Sequence, residues 1–173
     1  MIKEKFSVTQ LVNESGCFDL QFRKDTRHER TGSPTYYRWK IQFVVTLPKS
    51  EIKTLQKAGR EIGCGMVTHS TSSGQGGQAR LSVQNIDEIK DVVIPHFQKN
   101  PLAGEKKKDF QVWQKAAQII YKNKGVSLST WEKSDLHSLI ELHKLSGKYK
   151  NKTRQGKWMS MAKSLTKHAQ NVQ

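Results

Sequence analysis

The sequence predicts an α+β protein in which helices cover one face of an antiparallel sheet. Apolar and polar side chains alternate over residues 16–24 and 78–83, as is typical of half-buried strands, and residues 36–47 are dense in aromatic and β-branched side chains. Segments with apolar residues at helical spacing lie between and around these strands. The predicted element order is αββαββα, followed by extra C-terminal helices.

Glycines, prolines and capping residues set the predicted boundaries. The four predicted strands span residues 16–24, 36–47, 66–70 and 78–83. Helix starts are predicted from capping residues at Ser50, Asn85 (with Glu88) and Ser129 (with Glu132). Helix ends are predicted at Gly16, Gly63 and Gly147. Residues 25–35 are polar and rich in turn formers, so we expect a long hairpin connection there.

The chain divides into two predicted parts. Residues 1–122 hold the sheet and its helices, and we expect this part to bind nucleic acid. Residues 123–173 form a C-terminal helical extension with a basic tail. A length of 173 residues suits one domain or two very small ones.

Charge is the strongest compositional signal for function. The chain carries 30 Lys and Arg residues against 15 Asp and Glu, a formal net charge of +15. Such an excess indicates a polyanionic partner, and nucleic acid before a membrane surface. No stretch approaches the roughly 18 consecutive apolar residues of a membrane span, and the N-terminal residues lack the apolar core of a signal peptide.

A zinc site built by the protein is not expected. Cys17 and Cys64 fit no zinc-ligand spacing, and the six histidines form no pair with metal-ligand spacing. We expect the two cysteines to be buried free thiols beside strands.

Polar side chains at alternate strand positions predict a nucleic-acid-binding sheet face. Long basic and amide side chains on neighbouring antiparallel strands can contact phosphates or base edges, although a merely solvated face would have the same pattern. We also place Asp19, Gln78 and Ser82 on this face. The binding candidates from the strands are Gln21, Arg23, Arg38, Lys40, Gln42 and Arg80.

Two further basic segments supply candidates. Arg27 and Arg30 lie in the predicted hairpin loop, which either contacts phosphates or is simply solvated. Near the C-terminus, a basic run interleaved with Tyr149 and Trp158 could stack on unpaired bases, although most basic runs are solvated tails. Its candidates are Lys148, Lys150, Lys152, Arg154 and Lys157.

Residues 7–22, SVTQLVNESGCFDLQF, resemble the signature of the LAGLIDADG homing endonucleases. In that family a helix ending in an acidic residue and glycine leads into the first strand of a DNA-binding sheet. The similarity extends to EIGCG at residues 61–65 and to residues 92–110, and covers residues 7–122. The resemblance implies an αββαββα fold whose open sheet face meets nucleic acid.

The resemblance also implies a metal-dependent active site, which this sequence keeps only in part. The family's acidic metal ligand corresponds to Ser15, and a polar residue that organises the active-site water corresponds to Leu47. A hydroxyl is a poor ligand for a hard divalent cation, and an aliphatic side chain cannot orient water. The family's active-site lysine is retained as Lys106, with Lys107 beside it, and both can bind phosphate. Glu14, the nearest carboxylate, is rotated by about 100° along the helix.

The family helix also packs against a twin through small residues. The corresponding positions here are Thr9 and Gln10, and the longer polar Gln10 would separate the helices or require a hydrogen-bond partner. Because only one copy of the motif is present, a family-like enzyme would have to be a homodimer. We therefore expect a protein that is not a homodimer.

These observations lead to a functional hypothesis and an alternative. We expect a catalytically inactive LAGLIDADG-like protein that binds structured RNA without a cofactor, either as a maturase-like splicing factor or among the proteins of a ribonucleoprotein such as an organellar ribosome. A mitochondrion or another organelle is the expected compartment. The alternative is an active homodimeric endonuclease that uses Glu14 and Mg²⁺ to cut double-stranded DNA.

Overall fold

The computed structural model describes residues 5–26, 32, 35–70, 76–147 and 159–168. The elements follow the predicted order αββαββα and continue with helices, which confirms the α+β class. The strands are β1 (Gly16–Thr26), β2 (Thr35–Pro48), β3 (Met66–His69) and β4 (Gln78–Val83). The helices are α1 (Val8–Ser15), α2 (Ile52–Ile62), α3 (Ile86–Glu88), α4 (Ile94–Lys99), α5 (Gly104–Lys122), α6 (Lys133–Leu145) and α7 (Met159–His168). A π-helical segment, Ile89–Val93, joins α3 to α4.

The four strands form one antiparallel sheet in the order β1-β2-β4-β3. β1 pairs with β2 along the whole length of β1, from Gly16 opposite Val45 to Thr26 opposite Thr35. β4 pairs with β2 only from Phe43 to Pro48. Within the described residues, the outer half of β2 therefore has a strand neighbour on one side only.

The core lies between the sheet and the helices, and Phe18 is at its centre. The Phe18 ring contacts Phe43 of β2 and Phe97 of α4, with centroids 5.3 and 5.9 Å away. It also contacts Phe110 and Trp113 of α5, at 5.3 and 5.1 Å. Because these rings come from four separate elements, burial of Phe18 ties β1 to β2, α4 and α5.

α6 and α7 contribute to the same core. Leu139 and Ile140 of α6 and Met159 and Ala162 of α7 are buried with the sheet residues. The His143 ring lies 6.2 Å from that of Trp39 on β2. The sequence patterns had indicated only a basic tail where α7 lies. The division of the chain at residue 122 stays a prediction.

Two of the three predicted capping residues are wrong. Ser50 lies inside a 3₁₀ turn, Lys49–Glu51, so the residue that precedes α2 is Glu51. Ser129 also lies in a 3₁₀ turn, where its hydroxyl is 3.0 Å from that of Ser127. In both places a short 3₁₀ turn precedes the α-helix, and the predicted capping serine lies within that turn instead of at the start of the helix. Asn85 is confirmed, because its side chain accepts a hydrogen bond from the Asp87 amide at 2.8 Å.

Strand ends and helix ends agree more closely with the sequence patterns. β4 has the predicted bounds, whereas β1 and β2 extend the hairpin to Thr26 and Thr35. Gly63 ends α2 with a φ of +100°, a conformation that side chains other than glycine rarely adopt. Both cysteines are half-buried and reduced, and burial together with the Glu88 charge raises the pKa of Cys64 to about 11.

The central position of Phe18 leads to a stability prediction. We expect Phe18→Ala to lower the free energy of unfolding by about 3–5 kcal/mol, since the lost ring leaves a cavity among four aromatic neighbours. Equilibrium urea unfolding followed by circular dichroism measures the change. The control is Leu145→Ala on α6, where the side chain is 58% exposed, and we expect its change to stay within about 0.5 kcal/mol. Equal losses in the two variants would contradict this view of the core.

Candidate nucleic-acid interface

The sheet face opposite the helices carries the polar side chains of alternate strand positions; we call it the open face. The antiparallel register places Gln21 opposite Lys40 and Arg23 opposite Arg38, and residues that face each other in such a pair lie on the same side of the sheet. Arg80 of β4 lies opposite Thr46 of β2. The strand candidates Gln21, Arg23, Arg38, Lys40, Gln42 and Arg80 are therefore brought together on the open face.

Four of these candidates form a cation cluster: Arg23, Arg38, Lys40 and Arg80. Asp25, two residues after Arg23 on the same side of β1, forms an ion pair with the Nε of Arg23 at 2.9 Å and another with the Nε of Arg38. The two arginine side chains nevertheless remain 41% and 48% exposed. They keep further N–H groups that can reach a ligand, because a guanidinium has five.

The pKa of Lys40 reflects its burial first and the crowding of positive charge second. Burial lowers the pKa of Lys40 below its usual value, and the charges of Arg23, Arg38 and Arg80 lower it further, while Asp25 opposes them. Asp25 thus pairs with two of the four cations and acts on a third, Lys40, through its charge. A polyanion placed over the cluster would relieve the repulsion among its members.

A buried polar network lies next to the cluster and corrects one prediction. Asp19, only 2% exposed, accepts hydrogen bonds through Oδ2 from the amides of Gln21 at 2.6 Å and Gln42 at 2.9 Å. Gln42 is itself 6% exposed. We therefore withdraw Gln42 as a contact residue, because it is buried and its amide donates to Asp19. Gln21 is half-buried and borders the cation cluster.

The end of α1 is where the family's metal site would form. The Lys106 ammonium donates to the backbone carbonyl of Gly16 at 2.5 Å, immediately after Ser15. Leu47 is buried in the core, at 9% exposure. Glu14 is exposed, and its Oε1 accepts a hydrogen bond from the side-chain amide of Gln10 at 3.3 Å.

This donor set does not fit a divalent metal ion. Such ions take anionic and carbonyl oxygens, but Ser15 supplies a neutral hydroxyl and the Gly16 carbonyl already faces the positive charge of Lys106. Within the described ranges, no group of three or more His, Cys, Asp or Glu side chains could hold a metal ion. We derive no metal-dependent step for this site.

Several candidates lie away from the cluster or outside the description. Lys107 is exposed on α5. Arg27 and Arg30 of the hairpin loop lie outside the described residues, and so do Lys148, Lys150, Lys152, Arg154 and Lys157 of the basic run. Sequence reasoning missed Asp25 as the acceptor between two arginines, although its position two residues after Arg23 on a strand was a usable signal.

Comparison with known proteins agrees with the fold. A family model described as LAGLIDADG endonuclease matches residues 11–117, more than half of the chain. A curated relative, the probable intron-encoded endonuclease 3 of Neurospora crassa, is 26% identical over 103 residues, which cover 58% of this chain and 18% of the relative. The chain thus matches less than a fifth of that relative's length.

Solved structures of homing endonucleases share the fold. The crystal structure of I-TnaI superposes with a TM-score of 0.65 at 18% identity, covering 93% of this chain and 94% of that one. I-AabMI bound to uncleaved DNA gives 0.67 at 19% identity, covering 90% of this chain and 47% of that one. None of the described helices combines the length and apolarity needed to cross a bilayer. The matched family model and the shared architecture establish that the chain belongs to the LAGLIDADG endonuclease family.

Proposed function

We propose that the protein binds nucleic acid through the open face of its sheet and does not cut it. The observation that carries this proposal is the cation cluster of Arg23, Arg38, Lys40 and Arg80, in which Asp25 pairs with Arg23 and Arg38. Charged groups of one sign on a sheet face attract and orient a phosphate backbone. The chain's formal charge of +15 adds a long-range attraction.

We base the proposed lack of cleavage on the residues at the end of α1. Metal-dependent hydrolysis needs hard anionic ligands that bind the ion and activate water. Ser15 provides no negative charge. The neighbouring carbonyl, that of Gly16, already accepts a hydrogen bond from the Lys106 ammonium. Lys106 neutralises charge without a metal, so this end of α1 is suited to hold a phosphate.

Structured RNA is the partner that we propose first, in a maturase-like or ribonucleoprotein setting within an organelle. Its support is the basic run with Tyr149 and Trp158, which suits single-stranded segments. Duplex DNA is the second candidate, because I-AabMI and I-SmaMI, which share the fold, were crystallised with DNA. The relative from Neurospora crassa is named as intron-encoded, which is compatible with an organellar gene.

We further propose that the protein acts as a monomer. Gln10 and Glu14 are hydrogen-bonded to each other on the exposed side of α1. Burying that side against a second α1 would desolvate a carboxylate and an amide. A monomer mass from light scattering supports this, and a stable dimer contradicts it.

Removing one cation from the cluster should weaken binding in a salt-dependent way. We expect Lys40→Gln or Arg80→Gln to lower affinity for duplex DNA and duplex RNA alike, and to reduce the slope of log K against log salt by about 0.9 on DNA. Fluorescence anisotropy over a salt series measures both effects. The matched control is Lys53→Gln, an exposed lysine on α2, which should bind like the unmodified protein. Equal losses in the three variants would show that binding does not depend on the open face.

Absence of cleavage can be tested without knowing a target site. We expect no nicking when the protein is incubated with Mg²⁺ and a pool of randomised DNA duplexes whose new ends are then sequenced. Glu14→Gln should give the same result, because Glu14 is exposed and its carboxylate is bonded to Gln10 of the same helix. Magnesium-dependent cutting that disappears in Glu14→Gln would overturn this part of the proposal and favour the active endonuclease.

A further inference from the structure

A groove of about 1120 Å³ runs beside the part of β2 that β4 does not reach. One wall is the strand segment from Thr35 to Trp39, and the other is formed by the turn after α5 and by Trp131. Typical small-molecule pockets enclose about 300–1000 Å³, so the groove has room for more than one planar group. It lies away from Lys106 and the end of α1.

The walls of the groove are aromatic and held in place. The indole N–H of Trp131 donates to the Val126 carbonyl at 3.0 Å, which fixes the direction of its ring. Tyr37 stacks against Phe22 with ring planes 3° apart, so one side of the phenol already lies on the protein. Tyr36 is 37% exposed at the edge of the groove. Pre-positioned aromatic rings are the surfaces on which unpaired bases stack.

The groove is continuous with the open face through Arg38. This residue belongs to the cation cluster and also lines the groove, while Lys124 lies on the opposite rim. Each rim cation has a carboxylate partner, Asp25 for Arg38 and Asp87 for Lys124. The guanidinium and the ammonium each have more than one N–H group, so both can still meet a phosphate.

We propose that this groove binds unpaired nucleotides of a nucleic acid whose double-helical part lies on the open face. The inference rests on the proposed function, because Arg38 is the bridge between the two surfaces. Bases stack on Trp131 and Tyr36, and the backbone passes between Arg38 and Lys124. The protein would then recognise the junction between a duplex and a single strand, which is common in structured RNA.

Paired oligonucleotides test the proposal. A fluorescent blunt duplex and the same duplex with a short single-stranded tail are titrated against the unmodified protein, in DNA and RNA versions. We expect the tail to tighten binding. Trp131→Leu should weaken binding of the tailed duplex by roughly 5- to 150-fold, the range for loss of one stacked base, and leave the blunt duplex unchanged. Trp131→Phe keeps an aromatic face and should retain most of the gain.

The controls separate this proposal from the function on which it rests. Leu145→Ala removes an exposed apolar side chain outside the groove and should change neither affinity. If Trp131→Leu unfolds, Tyr36→Leu replaces it. Equal binding of tailed and blunt duplexes by the unmodified protein overturns the groove proposal, and a weakening in Lys40→Gln then still supports the open face. Quenching of tryptophan fluorescence by polyglutamate but by no oligonucleotide would assign the groove to an acidic protein segment and also overturn it.

Discussion

The pairing of β1 with β2 is the constraint on which the other features depend. Successive side chains of a strand point to opposite faces, so a single register decides the content of both faces. With Gly16 opposite Val45, one face receives Phe18, Leu20 and Phe22 for the core, and the other receives Gln21 and Arg23. A slip of one residue would place the cations in the core and the phenylalanines in water. The aromatic contacts of Phe18 with three other elements therefore also hold the cation cluster in place.

A few side chains at the end of α1 decide whether this site suits a divalent cation or an anion. A carboxylate before Gly16 would attract a divalent cation, whereas Ser15 with the Lys106 ammonium on the Gly16 carbonyl attracts an anion instead. Leu47 has no polar group where the family has a polar residue, and its side chain is buried in the core. In our proposal, the end of α1, where the family's active site lies, contacts a phosphate through Lys106. The cation cluster on the sheet does not depend on the end of α1, so the proposed binding does not require cleavage activity.

Much of the fold could be predicted because short-range patterns decided it. The alternation in residues 78–83 predicted β4 with its observed bounds, and Asn85 and Gly63 predicted a helix start and a helix end. The capping predictions at Ser50 and Ser129 failed because the same residue types begin turns and helices, and only the tertiary context selects between them.

Other features depend on tertiary structure. Gln42 failed as a predicted contact residue because its exposure depends on the neighbouring strand. The buried spacing of Met159, Ala162 and Thr166 was a readable signal for α7, but the surrounding charge obscured it. The groove beside β2 required the ends of β4 and α5 to be known in three dimensions.

Site-specific photocrosslinking tests most directly whether the open face is the nucleic-acid surface. A photoreactive benzoylphenylalanine is placed at Thr46, on the open face opposite Arg80, or at Lys53, on α2 across the sheet. Both positions are exposed, so neither replacement disturbs the core. With bound nucleic acid, we predict an efficient crosslink from position 46 and none from position 53. A crosslink from position 53 without one from position 46 would contradict the assignment of the open face.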